Sequence, residues 1–427
     1  MLEVTVKYHF LFLICFLITL SAYSDENLQD SRKENLIAQR KAKLQHLQEP
    51  PSPSIFQKVF AKIESEQSAF HFGPEHSPSG FAPEIGNIVT GSGIAFGGRY
   101  HHSIFSTDAA YSTKGYQQFN LKIGWNPPVQ SIFLQTFRID DVYAARVLQK
   151  AGPYIFGEFR YRDLTQEDYY GPGLDSLKQD QTDYDLREIY VGVAAGYFFE
   201  KHIQLDFRAG YLNQSIDHGT NNSLPDIHDI FDDSSAPGLS QQPDFFRYST
   251  SLLFDYRDKP GNPHDGGALG VMWSRYDDRN LNEFDFNRVA VDAREFVPLG
   301  SPARTLALHF LTALSFNPDG EEVPFYLQPT LGGGNTLEGY SEYRFRDNNA
   351  LLMAAEYRWE PAPFLELALL YNAGKVFASH SDFNFNDLRK GYGVGVRFKT
   401  PDYLIFRIDF ARGDEGNIVY FKFGASF

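Results

Sequence analysis

A period-two alternation of apolar and polar residues runs through most of this chain and constrains its fold more than any other feature. In KHIQLDFRAGY, Ile203, Leu205 and Phe207 share one parity, and Gln204 and Asp206 share the other. Successive side chains of an extended strand point to opposite faces, so this segment has an apolar face and a charged face. The pattern predicts amphipathic β-strands, and it recurs in LLMAAEYRWE (351–360), FLELALLYN (364–372), GYGVGVRFK (391–399) and YLIFRIDF (403–410).

Alternation alone does not separate a soluble β-sandwich from a transmembrane β-barrel, because both have an apolar face and a polar face. Three further features favour the barrel. Opposite charges fall on the inward faces of neighbouring strands, aromatic residues (16% of the chain) cluster near strand ends, and the chain begins with an export signal. We therefore predict an all-β fold, a transmembrane antiparallel β-barrel of about sixteen strands with a short N-terminal helical arm.

Residues 1–24 have the pattern of a secretory signal peptide. They combine Lys7, an apolar run over residues 8–20 and small residues up to Ser24. A run of about 13 apolar residues is short for a bilayer span, which disfavours the alternative of an N-terminal membrane anchor. Cys15, the single cysteine, lies in this run, so the mature chain is expected to have neither disulfides nor thiol ligands. The expected location is the bacterial outer membrane.

Residues 25–84 lack the strand alternation and are expected to form an N-terminal periplasmic arm with short helices. PPSPS (50–54) interrupts a charged stretch, and IFQKVFAKIES (55–65) then places its apolar residues at helical spacing. Such a helix needs a surface to dock on, either to close or brace the barrel or simply to pack. The barrel is expected to span residues 85–427.

Charge and motifs exclude several classes of function. The formal net charge of −15 argues against nucleic-acid binding. No nucleophile setting such as GxSxG is present in the sequence, so no enzymatic activity is predicted. LPDIHDIFDD (224–233) surrounds His228 with carboxylates that would attract a cation, but it lacks the spacing of an EF-hand or a zinc site. A solvated acidic loop is the favoured interpretation, and we predict no metal and no cofactor.

The glycine-rich stretch LGGGNTLEGY (331–340) does not fit a phosphate-binding loop. Such a loop has the form GxxxxGK[ST] between a strand and a helix. Here no Lys follows the last glycine, and no helical pattern follows the turn. The glycines instead indicate a turn with positive φ angles or a close backbone approach.

Five sequence segments together resemble one known family. They are GGGNTLEGY followed by RFRDNNALL (332–352), DYRDKPGNPHDGG (255–267), YRDLTQEDYYGPGLDS (161–176), NAGKVF (372–377) and a final amphipathic strand that carries Phe423 and ends in Phe427. Residues 85–427 resemble the barrel domain of bacterial surface antigens, the BamA/TamA-type outer-membrane proteins. In that family the sixth extracellular loop, between strands eleven and twelve, folds into the barrel.

The resemblance implies that the loop spanning residues 331–347 enters the barrel with Glu338, Gly339 and Tyr340 at its tip. The family has an Arg at the tip that pairs with an inward Asp on the thirteenth strand, whereas the matching positions here are Glu338 and Asn372. We therefore expect a less tightly held loop. The candidate partners of Glu338 are Asn372, Arg358, Arg397 and Lys375.

The same resemblance implies a role in inserting or exporting outer-membrane components, with unfolded outer-membrane proteins or lipids as clients and outer-membrane lipids around the barrel. Phe423 and Phe427 would present the chain to the barrel assembly machinery for its own insertion. Residues 25–84 have no room for a POTRA domain, the module that receives clients in the family. A seam between a first strand starting at Ser92 and the last strand is one route for clients. A passive pore or a structural surface protein is the alternative.

Overall fold

The computed structural model describes residues 80–89, 91–126, 151–199, 202–301, 303–399 and 404–423. All of them belong to one compact unit, Phe60–Phe427. The expected signal peptide, the helical arm up to residue 79, the terminal Phe427 and the side chain of Phe423 lie outside the described residues.

In the described residues, sixteen antiparallel strands form one sheet in chain order, and each strand between the two edges pairs with both of its neighbours. The first eleven are β1 (Gly80–Gly86), β2 (Ala95–His102), β3 (Phe105–Ser112), β4 (Gln117–Trp125), β5 (Gly152–Tyr169), β6 (Thr182–Phe199), β7 (Ile203–His218), β8 (Phe245–Asp255), β9 (Gly266–Asp278), β10 (Phe286–Pro298) and β11 (Arg304–Phe316). The last five are β14 (Asn349–Ala362), β15 (Leu365–Phe377), β16 (Arg389–Lys399), β17 (Leu404–Gly413) and β18 (Gly416–Phe423). A separate two-stranded ladder joins β12 (Thr330–Leu331) to β13 (Phe345–Arg346).

Helical structure in the described residues is confined to single turns. One α-helical turn spans Ile227–Ile230, and 3₁₀ turns span Lys178–Asp180, Phe325–Leu327 and His380–Asp382. Within the described ranges, no helix has the length and the apolar character needed to cross a membrane.

The two faces of the sheet have opposite chemistry. Outward residues are large and apolar yet exposed, as with Phe207 (52%) and Leu369 (58%), whereas inward residues such as Asp206, Glu356 and Arg397 are buried. In water this arrangement would expose apolar surface and bury charge, both at high cost. It is the arrangement of a barrel with lipid outside and a polar interior, which confirms the predicted transmembrane β-barrel.

The position of the first strand was predicted wrongly. The strand expected to start the barrel at Ser92 is β2, the second strand of the described sheet, and the first described strand, β1, begins at Gly80. β1 (GFAPEIG) pairs with β2 over all seven of its residues. Its two glycines and Pro83 weaken the strand pattern in the sequence, but an edge strand tolerates them.

The sheet has two edge strands. Among the described residues, no backbone ladder joins β1 to β18, although every other sequential pair in the sheet is hydrogen-bonded. One side of each of these strands therefore keeps backbone donors and acceptors that the described sheet does not use.

Among the connections that the structure describes, the long ones gather at one end of the sheet, which we call the capping end. Its loops are 87–94, 113–116, 170–181, 219–244, 279–285, 317–348, 378–388 and 414–415. Several of them bury apolar residues in one cluster that includes Ile88, Tyr116, Ile227, Phe325 and Tyr326. Outer-membrane barrels have longer loops on the extracellular side, which assigns the capping end to that side.

Candidate functional site

The candidate site is the loop that connects β11 to β14, the eleventh and twelfth strands of the sheet. The short ladder between β12 and β13 closes the base of this loop. We call residues 331–347 the inner loop. Five strands follow it, as the family resemblance implied.

Glycines permit the inner loop to turn and to approach the barrel wall closely. Gly333 and Gly339 have φ values of 90° and 93°, a region that side chains disfavour. A Cβ atom on Gly339 would lie 2.4 Å from the backbone nitrogen of Gly413. On the adjacent strand β16, a Cβ atom on Gly391 would lie 1.8 Å from the carbonyl oxygen of Glu338. The tip therefore packs against the neighbouring strands β16 and β17.

The loop tip is buried and hydrogen-bonded to the last strands. Glu338 and Tyr340 are 5% and 0% exposed. The Gly339 N–H donates to the Tyr420 hydroxyl on β18 (3.0 Å), and this hydroxyl donates to the Tyr340 carbonyl (2.7 Å). The Tyr340 hydroxyl donates to the carbonyl of Lys390 on β16 (3.2 Å). The tip thus contacts edge strand β18 and the nearby strand β16.

Arg407 on β17 is the cation that contacts the inner loop at its tip. Its Nη2 donates to the carbonyl of Gly334 (2.6 Å) and to Oδ1 of Asn335 (3.2 Å). Its Nη1 lies 3.7 Å from Oε1 of Glu338 and 3.1 Å from Oδ2 of Asp409. Arg407 is fully buried, so these contacts form away from bulk water.

The candidate partners proposed from the sequence have other contacts. Arg397 bridges Glu356 (2.8 Å) and Glu366 (3.1 Å), and the Nε of Arg358 also binds Glu356 (2.8 Å). These carboxylates lie on the barrel wall, not on the loop. None of these contacts reaches Glu338.

The remaining candidates, Asn372 and Lys375, lie on β15. Lys375 donates to the side chain of Asn384 (2.9 Å). Asn372 lines a small polar pocket together with Glu338, His309 and Thr336. Its Oδ1 is buried and has no hydrogen-bond partner among the described residues. Asn372 is thus adjacent to the tip but does not replace the family's charged pair.

Burial changes the protonation of Glu338. The pKa of this loop carboxyl is raised from its ordinary 4.5 to about 8, chiefly by burial and then by the nearby Asp409 carboxylate. The Arg407 guanidinium lowers the pKa of Glu338. Its effect is limited because Arg407 lies closer to Asp409 (3.1 Å) than to Glu338 (3.7 Å). The raised pKa favours the protonated form of Glu338, and the 3.7 Å contact between Glu338 and Arg407 is longer than the 3.1 Å contact between Arg407 and Asp409.

Two arginines after the tip hold the returning limb of the loop. Arg344 forms an ion pair with Glu415 (2.7 Å) and donates to Ser176 (2.6 and 2.8 Å) in a second capping loop. Arg346 donates to the hydroxyl of Tyr184 (3.1 Å) and to the carbonyl of Phe325 (2.9 Å). Both arginines are buried. Sequence reasoning missed their roles, although the motif RFRD flanks the tip directly.

A sheet with an apolar exposed face and a buried charged face defines an outer-membrane β-barrel, and the inner-loop tip is buried against its last strands. Residues 142–427 match the family model described as the Omp85 superfamily domain. The chain belongs to the Omp85 superfamily. Barrels of this superfamily are generally insertion or secretion factors and not enzymes, and the chain is an outer-membrane barrel of the assembly and translocation type.

Solved structures with a similar fold include BamA from Haemophilus ducreyi lacking POTRA domains 1–3. Its TM-score is 0.55 at 13% identity, covering 82% of this chain and 70% of that chain. CdiB from Escherichia coli gives 0.47 at 12% identity (81% and 62% covered), and CdiB from Acinetobacter baumannii gives 0.43 at 9% identity (80% and 59% covered). This chain thus spans less than two thirds of either CdiB chain. No curated protein matches it in sequence.

Proposed function

We propose that this protein inserts or translocates outer-membrane components, and that the sheet edge formed by β1 and β18 receives the client. The observation that supports this proposal is the contact between the inner-loop tip and Tyr420 on edge strand β18. A strand edge with unused backbone groups is a template for pairing with another chain. The inner loop would then hold β18 in position while its free side pairs with a client strand.

The proposal names partners by their chemistry. Unfolded outer-membrane proteins or lipids are the clients, and outer-membrane lipids surround the apolar face. Export by the signal peptide in residues 1–24, and insertion of this chain by the barrel assembly machinery through Phe423 and Phe427, belong to the same proposal. No nucleic acid is involved.

The alternative functions differ in whether they require an open path through the barrel interior. A passive pore needs an open path, whereas the inner loop and buried ion pairs such as Glu356–Arg397 occupy space there. These contacts weigh against a pore. A structural surface protein would use the same barrel without any client.

The test measures how fast a urea-unfolded outer-membrane barrel folds into liposomes that contain the full chain, compared with empty liposomes. We expect the chain to accelerate folding. Tyr420→Phe removes two hydrogen bonds between β18 and the tip and should lower the accelerated rate roughly fivefold. Tyr392→Phe is the matched control, because Tyr392 faces the lipid and is 54% exposed.

A second measurement compares outer-membrane proteins and lipids, at matched growth, between cells with and without the chain. Depletion of a specific set of other barrels or of lipids supports the proposal. An unchanged membrane, together with no acceleration in liposomes, contradicts it and favours a structural role.

A further inference from the structure

Three potential metal ligands meet at the capping end. His218 is the last residue of β7, and Asp226 and His228 lie in the loop that follows it. The Nδ1 atom of His218 lies 3.0 Å from Oδ2 of Asp226, and the Nδ1 atom of His228 lies 2.6 Å from Oδ1 of the same carboxylate. One ligand atom from each of the three residues falls within 4.8 Å of the other two.

The backbone around the carboxylate holds it in place. Asp226 accepts hydrogen bonds from the backbone N–H groups of His228 (2.9 Å) and Gly219 (3.2 Å). The preceding carbonyl, that of Pro225, accepts from the N–H of Asp183 on β6 (3.1 Å). Ile227, the next residue, is fully buried in the capping cluster. Asp226, the ligand between the two histidines, therefore lies in a fixed segment of backbone.

The donor set and its spacing suit one class of ion. Two imidazole nitrogens and one carboxylate oxygen are ligands that Zn²⁺ and similar divalent transition metals prefer. Four-coordinate zinc spaces its ligand atoms about 3.3 Å apart. The two histidines contact different oxygens of Asp226, at 3.0 and 2.6 Å, and one ligand atom from each residue lies within 4.8 Å of the others, so small side-chain rotations would bring the three atoms to that spacing. The side chain of His218 is 75% exposed, which leaves water access for a fourth ligand. Asp217 and Asp229 lie close by and add negative charge.

We propose that His218, Asp226 and His228 bind a divalent transition-metal ion of the Zn²⁺ class, and that this ion ties the β7–β8 loop to the end of β7. The sequence hides this site, because His218 lies outside the acidic segment that surrounds His228. The proposal also replaces the solvated acidic loop that the sequence favoured. It is independent of the client-insertion function.

The test is calorimetric titration of the folded, detergent-solubilised full chain with Zn²⁺ at neutral pH, with Mg²⁺ and Ca²⁺ titrated in parallel. We expect one Zn²⁺ per chain and no comparable binding of the other two ions. His218→Ala/His228→Ala should weaken Zn²⁺ binding at least about tenfold. His102→Ala, which removes an exposed histidine at the opposite end of the sheet, is the control and should bind as the unmodified chain does.

Asp226→Asn is a milder second variant, because its amide oxygen can still accept one of the two backbone hydrogen bonds while the negative charge is lost. It should also weaken Zn²⁺ binding, while the chain still migrates as a folded barrel in unheated gels. Co²⁺ substituted for Zn²⁺ should give visible absorption bands that the double variant lacks. Equal Zn²⁺ affinity in the double variant and in the His102→Ala control would overturn the proposal.

Discussion

At the residue scale, the tip of the inner loop departs from the family's charge pattern. The family resemblance implies a cation on the loop and a carboxylate on the wall, whereas here Glu338 is on the loop and Arg407 is on β17. Arg407 holds the loop mainly through its hydrogen bonds to Gly334 and Asn335. Glu338, buried beside Asp409, adds a titratable group to the interior.

The first prediction concerns pH. A carboxyl whose pKa is raised in the folded state, here from 4.5 to about 8, holds its proton more tightly there than in the unfolded chain. The contribution of this carboxyl to the free energy of unfolding is complete below about pH 4.5 and is lost as the pH rises through about 8. Glu338→Gln keeps the neutral form at every pH, so it should be more stable than the unmodified chain at about pH 9.5, by a few kcal/mol.

The measurement is urea unfolding of both chains at about pH 6 and about pH 9.5, in the same detergent. Glu342→Gln is the control, because Glu342 lies in the same loop and pairs with Lys422 at 3.3 Å. It should retain the pH dependence of the unmodified chain. If Glu338→Gln lost as much stability between the two pH values as the unmodified chain does, the raised pKa assigned to Glu338 would be wrong.

At the element scale, the inner loop is shaped by its own ladder and by the strands that it contacts. β12 and β13 close its base, while Tyr420 and Arg407 contact its tip from β18 and β17. Gly339 lies at the tip, in contact with Tyr420 and close to the end of β17. Its positive φ and its contact with Gly413 leave no room for a side chain.

The second prediction separates backbone strain from crowding. Gly339→Ala should destabilise the chain by more than about 3 kcal/mol, because φ is 93° and the new Cβ would lie 2.4 Å from a backbone nitrogen. Gly320→Ala, in the same β11–β14 connection, has a φ of 85° but no atom within 4 Å of the new Cβ. It should cost only about 1 kcal/mol.

Urea unfolding gives both values, and trypsin cleavage after Arg344 or Arg346 reports whether the loop has left the interior. We expect faster cleavage only in Gly339→Ala. Equal stability of the two variants would mean that the tip does not approach β17 closely.

At the scale of the whole molecule, the barrel places charge inside and apolar surface outside. The lipid supplies the environment that makes the outer face favourable, and buried ion pairs neutralise the inner charges. Exposure alone therefore does not predict the effect of a substitution, since two equally exposed residues face different solvents.

The third prediction uses this difference. Leu369 on β15 and Phe385 in the 378–388 capping loop are 58% and 57% exposed. Leu369→Arg should destabilise the folded chain in a bilayer by about 2–4 kcal/mol if it lies near the midplane, and by less toward the interface. Phe385→Arg should change stability by less than about 0.5 kcal/mol, because that side chain faces water. Both are measured by urea unfolding in liposomes, and similar losses would contradict the assigned lipid face.

Much of the architecture could be predicted because it depends on local pattern. Period-two alternation along most strands identified an all-β barrel with about sixteen strands, and the resemblance to the BamA/TamA-type family identified the loop before the last five strands. β1 was not predicted from the sequence, because its seven residues contain two glycines and a proline and their alternation is weak.

What the sequence by itself determined was therefore the alternation and the class of fold, since these follow from the intrinsic geometry of an extended chain, whereas the inner loop was expected from the family resemblance. Only the tertiary structure decided that Arg407 contacts the loop tip and that His218 meets His228. Such contacts depend on strand register and on loop packing across many residues. Local periodicity does not encode which inward side chains become neighbours.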